Sequence, residues 1–501
     1  MKTPEYTRRI RTAIGFCASL GFCVFFGAFV VGGQQTQEPP PMSGVVFKNK
    51  APVSDTLLEI KLPRPQEADL PNGLHVMVLE DRRAPQVTVQ LSMRGAGGYY
   101  DPADHFGLAQ FTAANLNEGT TTRSTTEIAE QLDRLSATLN ANAGMSSEDA
   151  TITGTSLKEH VDVLLDLMAD VLLNPTFPEQ EFARYQTQTR AQLLQQRANP
   201  GFLAQERFSA VVAGDHPDGR IAPKPEVLDK TTRDHLVAFH RARYGPEHAV
   251  MAMAGDITMA DAMKKIQARL GAWKKTGSPV PTVTDPAALK TSGIFLVERP
   301  NSVQTSLIVG VQAINRNDPD YFPLSVLNRV VGGGPTGRLF RHLREEKGYT
   351  YGAGSTVVAP RFRGVWVAST NVRTEVTEPA LNDLLDELRQ AREVPIPSKE
   401  FSDAKRSMIA AFALTLESPQ ALLNNAVTRY RFNLPADYWD RYPERVNGVT
   451  VADAQAMAKK YLDPSRIQIV AVGSGEGVVQ ALGKLGTVQV YDSEGRPVTS
   501  K

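Results

Sequence analysis

Eight histidines, His75, His105, His160, His216, His235, His240, His248 and His342, are the first candidates for metal or proton chemistry in this chain. Two imidazoles hold one ion from a helix when they sit three or four residues apart, on one face. His235 and His240 are five apart and fall off a common face. Nucleophilic catalysis has no better footing. No Gly-x-Ser-x-Gly elbow presents a serine, and the two cysteines, Cys17 and Cys23, both lie inside an apolar N-terminal run. The rest of the chain has no thiol for catalysis, for metal or for a disulfide. Gly332-Gly-Gly-Pro-Thr-Gly337 matches Gly-x-Gly-x-x-Gly, but it follows the helix-like run 324–331 instead of a strand, so a dinucleotide site is not expected. Those glycines read as a turn from which the next helix starts tightly.

A set of longer segments is more informative. Phe106-Gly-Leu-Ala-Gln110-Phe-Thr-Ala113-Ala114-Asn-Leu-Asn-Glu-Gly119-Thr120 reads as a helix closed by a glycine. Leu70-Pro-Asn-Gly-Leu74 stands before a strand, and Glu148-Asp-Ala-Thr151, Leu173-Asn-Pro-Thr-Phe-Pro178 and Gly214-Asp-His-Pro-Asp-Gly219 follow in order. The longest is Gly332-Gly-Gly-Pro-Thr-Gly-Arg-Leu-Phe-Arg-His-Leu-Arg344-Glu-Glu-Lys-Gly348-Tyr-Thr-Tyr351. Together, over about residues 57–498, they resemble the pitrilysin/insulinase family of metallopeptidases, the inverted zincins.

The resemblance implies a His-x-x-Glu-His helix, in which two histidines hold zinc and the Glu activates a water. Matched residue by residue, those positions are Gln110, Ala113 and Ala114, an amide and two methyl groups. The family's third ligand, a Glu, is expected from the helix 178–197, but its segment Tyr185-Gln-Thr-Gln-Thr-Arg-Ala-Gln-Leu-Leu194 carries no carboxylate. This chain is therefore expected to hold no metal of its own. His105 is the one histidine near the vacated helix, and it reads most simply as an exposed or capping residue. By the same resemblance Arg344 and Tyr351 reach across to a substrate beside the zinc, where guanidinium and phenol donate to the scissile carbonyl. Residues 137–143, with Asn140 and Ala141, correspond to an edge strand that pairs with extended peptide. On their own residues they read equally well as a plain helix-to-strand connection.

The implied function is complementation. A zinc-less subunit would pair with a homologous chain bearing His-x-x-Glu-His and zinc. The two chains would enclose a chamber for peptide or unfolded polypeptide, as in two-chain members such as the mitochondrial processing peptidase. Metalloendopeptidase activity would appear only with the partner. The alternative is a scaffold or peptide-binding protein of the same fold, as with the core proteins of respiratory complexes.

The elements that would position these residues follow from periodicity. Alternating apolar residues predict strands at 74–79, 87–93, 150–154 and 248–255, with helices at 126–139, 160–173, 178–197 and 231–244. A Pro/Thr-rich linker at 276–291 leads to a second unit in the same order. Its strands are at 293–298, 305–311 and within 350–372, with a closing strand at 466–473. Its helices are at 321–331, 378–392, 399–416 and 452–461. Gly255 and Gly473 end equivalent strands, 218 residues apart (473 − 255). The expected fold is α+β: two tandem homologous units at 57–275 and 292–498, each an antiparallel-rich sheet packed on helices, forming half of a clam-shell chamber.

Lys2, Arg8, Arg9 and Arg11 precede the apolar run 13–33, and 34–56 is a Pro/Gln-rich spacer. That pattern predicts an exported, periplasmic protein, with 1–33 a cleaved signal or an anchor in the inner membrane, the chain's only membrane contact. Lys and Arg number 55 against 54 Asp and Glu, a balance that gives no reason to expect nucleic acid as a partner.

Overall fold

The computed structural model describes residues 56–498, so the signal or anchor reading of 1–33 and nearly all of the spacer lie outside the described residues. These described residues form one compact unit. It is built on two six-stranded mixed sheets. The first comprises β1 (Gln66–Asp69), β2 (His75–Glu80), β3 (Gln86–Arg94), β4 (Thr138–Ala143), β5 (Asp149–Leu157) and β6 (Ala249–Gly255), in the order β1-β2-β6-β3-β5-β4. The second comprises β7 (Gly293–Glu298), β8 (Gln304–Gln312), β9 (Thr350–Val358), β10 (Val365–Arg373), β11 (Gln468–Gly473) and β12 (Val488–Tyr491), in the order β12-β7-β11-β8-β10-β9.

The orders match strand for strand. His75 and Gly293 begin equivalent strands 218 apart (293 − 75), as do Gln86 and Gln304 (304 − 86). In each sheet the closing strand lies parallel to one neighbour and antiparallel to the other: β6 to β2 and β3, β11 to β7 and β8. A parallel return needs a long crossover, which the intervening helices supply.

The composition of the closing strands follows from their place. Ala249-Val-Met-Ala-Met-Ala-Gly255 is buried at every position, and so is Gln468-Ile-Val-Ala-Val-Gly473. A strand with both faces covered loses the apolar/polar alternation. One face of each sheet meets the helices of its own half, and the other meets a helix from the opposite half. The Pro200–Ala213 helix lays Leu203, Phe208 and Val212 on Phe295, Ile308 and Val470 of the second sheet. The Pro419–Arg431 helix lays Leu422, Leu423 and Val427 on Met77, Leu79 and Val250 of the first. Both helices start on a Pro after a capping Asn199 or Ser418. Phe208 approaches β8 so closely that a Cβ at position 310 would lie 2.4 Å from its ring, which makes Gly310 obligatory there. Each fully buried large apolar side chain contributes about 1.5–3 kcal/mol, so this exchange of helices binds the halves together.

The seam also carries buried charge. Arg361, in the β9–β10 loop, donates from Nε to both oxygens of Glu148 at 2.9 Å. Arg94 reaches the same carboxylate at 3.3 Å, and Arg431 lies 2.7 Å from Asp149. Glu148 is 3% exposed. Burial pushes the Asp149 carboxyl up against the opposing pull of Arg431. Beside this cluster Phe362 packs edge-on against Tyr99 and His216.

Two expectations are corrected. The helix expected at 126–139 runs only over Thr125–Arg134, because Ser136 takes a left-handed φ of 48° and the Ala137 N–H closes onto Leu132. Residues 137–143 are therefore no mere connection: β4 begins at Thr138 and pairs in full register with β5. The segment 106–120 is likewise shorter as a helix, Leu108–Ala114, followed by a single 3-10 turn at Leu116–Glu118.

Candidate functional site

The Leu108–Ala114 helix is anchored at its start by Asp101, whose carboxylate accepts the N–H groups of Gly107 and Ala109, both at 2.7 Å. Its apolar face is the core: Phe111 is 0% and Ala113 1% exposed, whereas Gln110 and Ala114 are half-buried. The Glu179–Arg197 helix lies where a third ligand would be offered. What it presents there is Tyr185, its ring 6.0 Å from that of Phe111, with Thr189 buried beside it. Burial pushes the Tyr185 phenol up. These side chains do not fit zinc. The positions on the helix are an amide and two methyl groups, none of which can donate to a metal as an imidazole or carboxylate does.

Three histidines of the first half contact its own groups. His105 stands 4.2 Å, ring to ring, from His235. His235 accepts the Thr232 N–H as a helix cap, and His240 bonds the Leu172 carbonyl across the core.

In the second half the glycine-rich segment is a packed turn. A Cβ on Gly332 would stand 2.6 Å from the Ser355 nitrogen, whose N–H donates to the Gly332 carbonyl at 2.8 Å. The turn leads into Arg338–Phe340 and then a π-helical turn, Arg341–Glu346. Such turns are rare and concentrate at functional sites. Gly348, at φ 63°, reverses the chain, and its N–H donates to the Arg344 carbonyl at 3.2 Å. Tyr349 closes onto Leu343 at 2.9 Å, and β9 starts at the next residue. Arg344 and Tyr351 thus sit on either side of one tight reversal. Tyr351 is 89% exposed. Arg344 is exposed too, its guanidinium 4.7 Å from the Phe340 ring. Among the described residues neither side chain has a hydrogen bond or an ion pair.

β4 is the last strand of its sheet, with Asn140 exposed and Ala141 half-buried. Among the described residues its outer side has no strand neighbour. Short, unbulky side chains there leave room for another extended backbone.

Sequence patterns missed the residues that hold these parts in place. Arg361 and Glu148 are 213 positions apart, and His342 bonds Glu387 from 45 positions away. Nothing local marks either pair. Asp101 had a signal that passed unread, an Asp a few residues before an apolar helical run.

Comparison with known proteins agrees with this architecture. The family profile described as "Insulinase (Peptidase family M16)" matches residues 76–223, and "Peptidase M16 inactive domain" matches 230–408. An uncharacterized zinc protease of Bacillus subtilis is 24% identical over 354 residues, covering 70% of this chain and 85% of that one. One of Mycobacterium tuberculosis is 26% identical over 405 residues, covering 79% and 91%. The crystal structure of a peptidase M16 inactive domain from Pseudomonas fluorescens superposes with a TM-score of 0.76 at 29% identity, covering 82% of this chain and 98% of that one. A protease from Helicobacter pylori has the same TM-score at 17% identity, with 82% and 100% covered, and so shares the fold. Two equivalent halves, the order of motifs and these matches lead to one conclusion: the chain belongs to the insulinase family of peptidases, family M16.

Proposed function

We propose that this protein is the zinc-less subunit of an exported, heteromeric M16 peptidase. It supplies Arg344 and Tyr351 to the active site of a homologous partner chain that carries His-x-x-Glu-His and the zinc. The observation that carries this reading is an asymmetry. The helix that would hold zinc carries no ligand side chain, while the Arg344–Tyr351 reversal is retained and exposed, with no hydrogen bond or ion pair on either side chain among the described residues. An Arg and a Tyr kept in solvent with no internal hydrogen bond or ion pair fit groups that act on something outside the chain.

In the assembled enzyme the two chains form a clam-shell around a peptide or unfolded polypeptide. The free edge of β4, at Asn140 and Ala141, pairs with its backbone. The Arg344 guanidinium and the Tyr351 hydroxyl donate to the scissile carbonyl and to the negative charge that develops on its oxygen. The zinc, held by the partner, supplies the activated water. The basic residues ahead of the apolar run 13–33 support export, with that run as signal or inner-membrane anchor.

The test is reconstitution. The chain is mixed with the purified His-x-x-Glu-His homologue from the same cell, and cleavage of an unstructured peptide is followed. Activity is expected only in the mixture. Arg344→Ala is expected to lower kcat about 10²-fold, the usual effect of removing one donor to the developing oxyanion, and Tyr351→Phe somewhat less. Full activity of the double variant would leave the scaffold reading.

A further inference from the structure

Among the described residues the Arg344 side chain has no hydrogen bond or ion pair, only the Phe340 ring 4.7 Å from its guanidinium, and it lies on a π-helical turn, a rare conformation held here by its surroundings. The support is visible. Leu339 and Leu343 are fully buried beneath the turn. Arg338 makes a two-pronged bond to Glu400, at 2.9 and 2.7 Å, and Arg341 reaches the same carboxylate at 3.2 Å. The third support lies within the π turn itself. His342 Nδ1 stands 2.8 Å from Glu387 Oε1, and its Nε2 is 3.8 Å from Asp383. Glu387 is 8% exposed and comes from the Thr377–Glu393 helix, at the core of the second half. His342 is also tied to the reversal, because its carbonyl accepts the Lys347 N–H at 3.0 Å, one residue before Gly348.

We infer that His342 and Glu387 are positioning residues for Arg344. This rests on the subunit reading above and deepens it. The imidazole–carboxylate bond sets the rotation of the π turn, and so the direction in which residue 344, two positions on, leaves it. Glu400 holds the entrance of the turn, Glu387 its middle and Gly348 its exit. With the middle tie removed, the Arg338–Glu400 bond, the buried leucines, the Lys347–Asp383 pair at 3.7 Å and the Arg373 bond to the Gly348 carbonyl still hold the segment to the fold, but the middle of the turn gains freedom to rotate. A misplacement of about 1 Å at a positioned group costs up to about 10²-fold in rate. An open cleft of about 300 Å³ beside the turn, lined by Arg338, Arg341, His342, Glu346, Glu387 and Glu400, gives the loosened segment room to move.

The experiment uses the full chain reconstituted with its partner. His342→Leu is expected to lower kcat at least tenfold while KM changes less than threefold, and His342→Asn, which keeps a donor near the Nδ1 position, to restore most of it. Glu387→Gln tests the same tie from its other end. The decisive comparison is the pair of changes together. His342→Leu in an Arg344→Ala background is expected to cost nothing further, because the histidine acts only through the arginine. Hydrogen exchange of the Lys347, Gly348 and Tyr349 amides in the chain alone is expected to quicken in His342→Leu. Two outcomes overturn the inference without touching the subunit reading. They are unchanged kcat in a folded His342→Leu chain, and a loss additive with that of Arg344→Ala. Indifference of the complex to Arg344→Ala would overturn both.

Discussion

Arg344 and Tyr351 differ from Gln110, Ala113 and Ala114 in a way that a single side chain makes plain. Ala113 is 1% exposed and faces the core of the first half. Restoring the family's general base by Ala113→Glu would bury a carboxylate in the apolar cluster that holds Phe111 and Leu116. The expected cost is about 1–3 kcal/mol, read as a lowered denaturation midpoint, and a neutral result would show a site still shaped for an acid. Gln110→His with Ala114→His restores two imidazoles but not the third ligand, because the Glu179–Arg197 helix offers Tyr185 and Thr189 there. Such a variant is expected to take up zinc only weakly in equilibrium dialysis. The vacated motif was legible because its members lie within five residues of each other. The tie from His342 to Glu387 was not, since only the packing of the Thr377–Glu393 helix against the turn brings those groups together.

At the scale of elements, the Leu108–Ala114 helix depends on Asp101. Burial pushes this carboxyl up to about 7, against the lowering effect of the bonds from Gly107 and Ala109. A carboxyl with a raised folded pKa binds protons more tightly in the folded chain, so its contribution to stability is greatest below the unfolded value near 3.8 and is lost as pH rises toward 7. The difference in stability between wild type and Asp101→Asn should therefore decline by a few kcal/mol between about pH 4 and pH 7 and then level off. A difference that grows over that interval would show an ionised cap instead. The strands at 293–298 and the helix at 321–331 were legible residue for residue, since their apolar period has one solution. The end of the Thr125–Arg134 helix was not. Ala, Leu and Asn at 137–142 suit a helix as well as a strand, and pairing with β5 decides between them.

The molecule as a whole is a duplication whose halves exchange helices. Repetition of order along the sequence made two equivalent units legible. The exchange was not, because the Pro200–Ala213 and Pro419–Arg431 helices look like any amphipathic segment until their apolar faces are seen on the opposite sheet. The Glu148–Arg361 pair locks the seam. Arg361→Ala would leave Glu148 buried with only the more distant Arg94 and Arg431 near it. The expected loss is about 3 kcal/mol, and proteolysis within the Pro/Thr-rich linker should quicken as the halves loosen. Resistance equal to wild type would mean that the exchanged helices alone carry the seam. Rigidity of this kind is what the proposed two-chain chamber would require, because a subunit proposed to lend donors to a partner's zinc would have to hold them at a fixed distance.

That requirement points to the most direct measurement, which is purification of the chain from its native cells with the co-eluting proteins identified by sequence. The proposed function predicts stoichiometric recovery of a homologous chain bearing His-x-x-Glu-His, with one zinc per pair of chains. Recovery of this protein alone, or with unrelated proteins, would contradict it and leave a scaffold built on a peptidase fold.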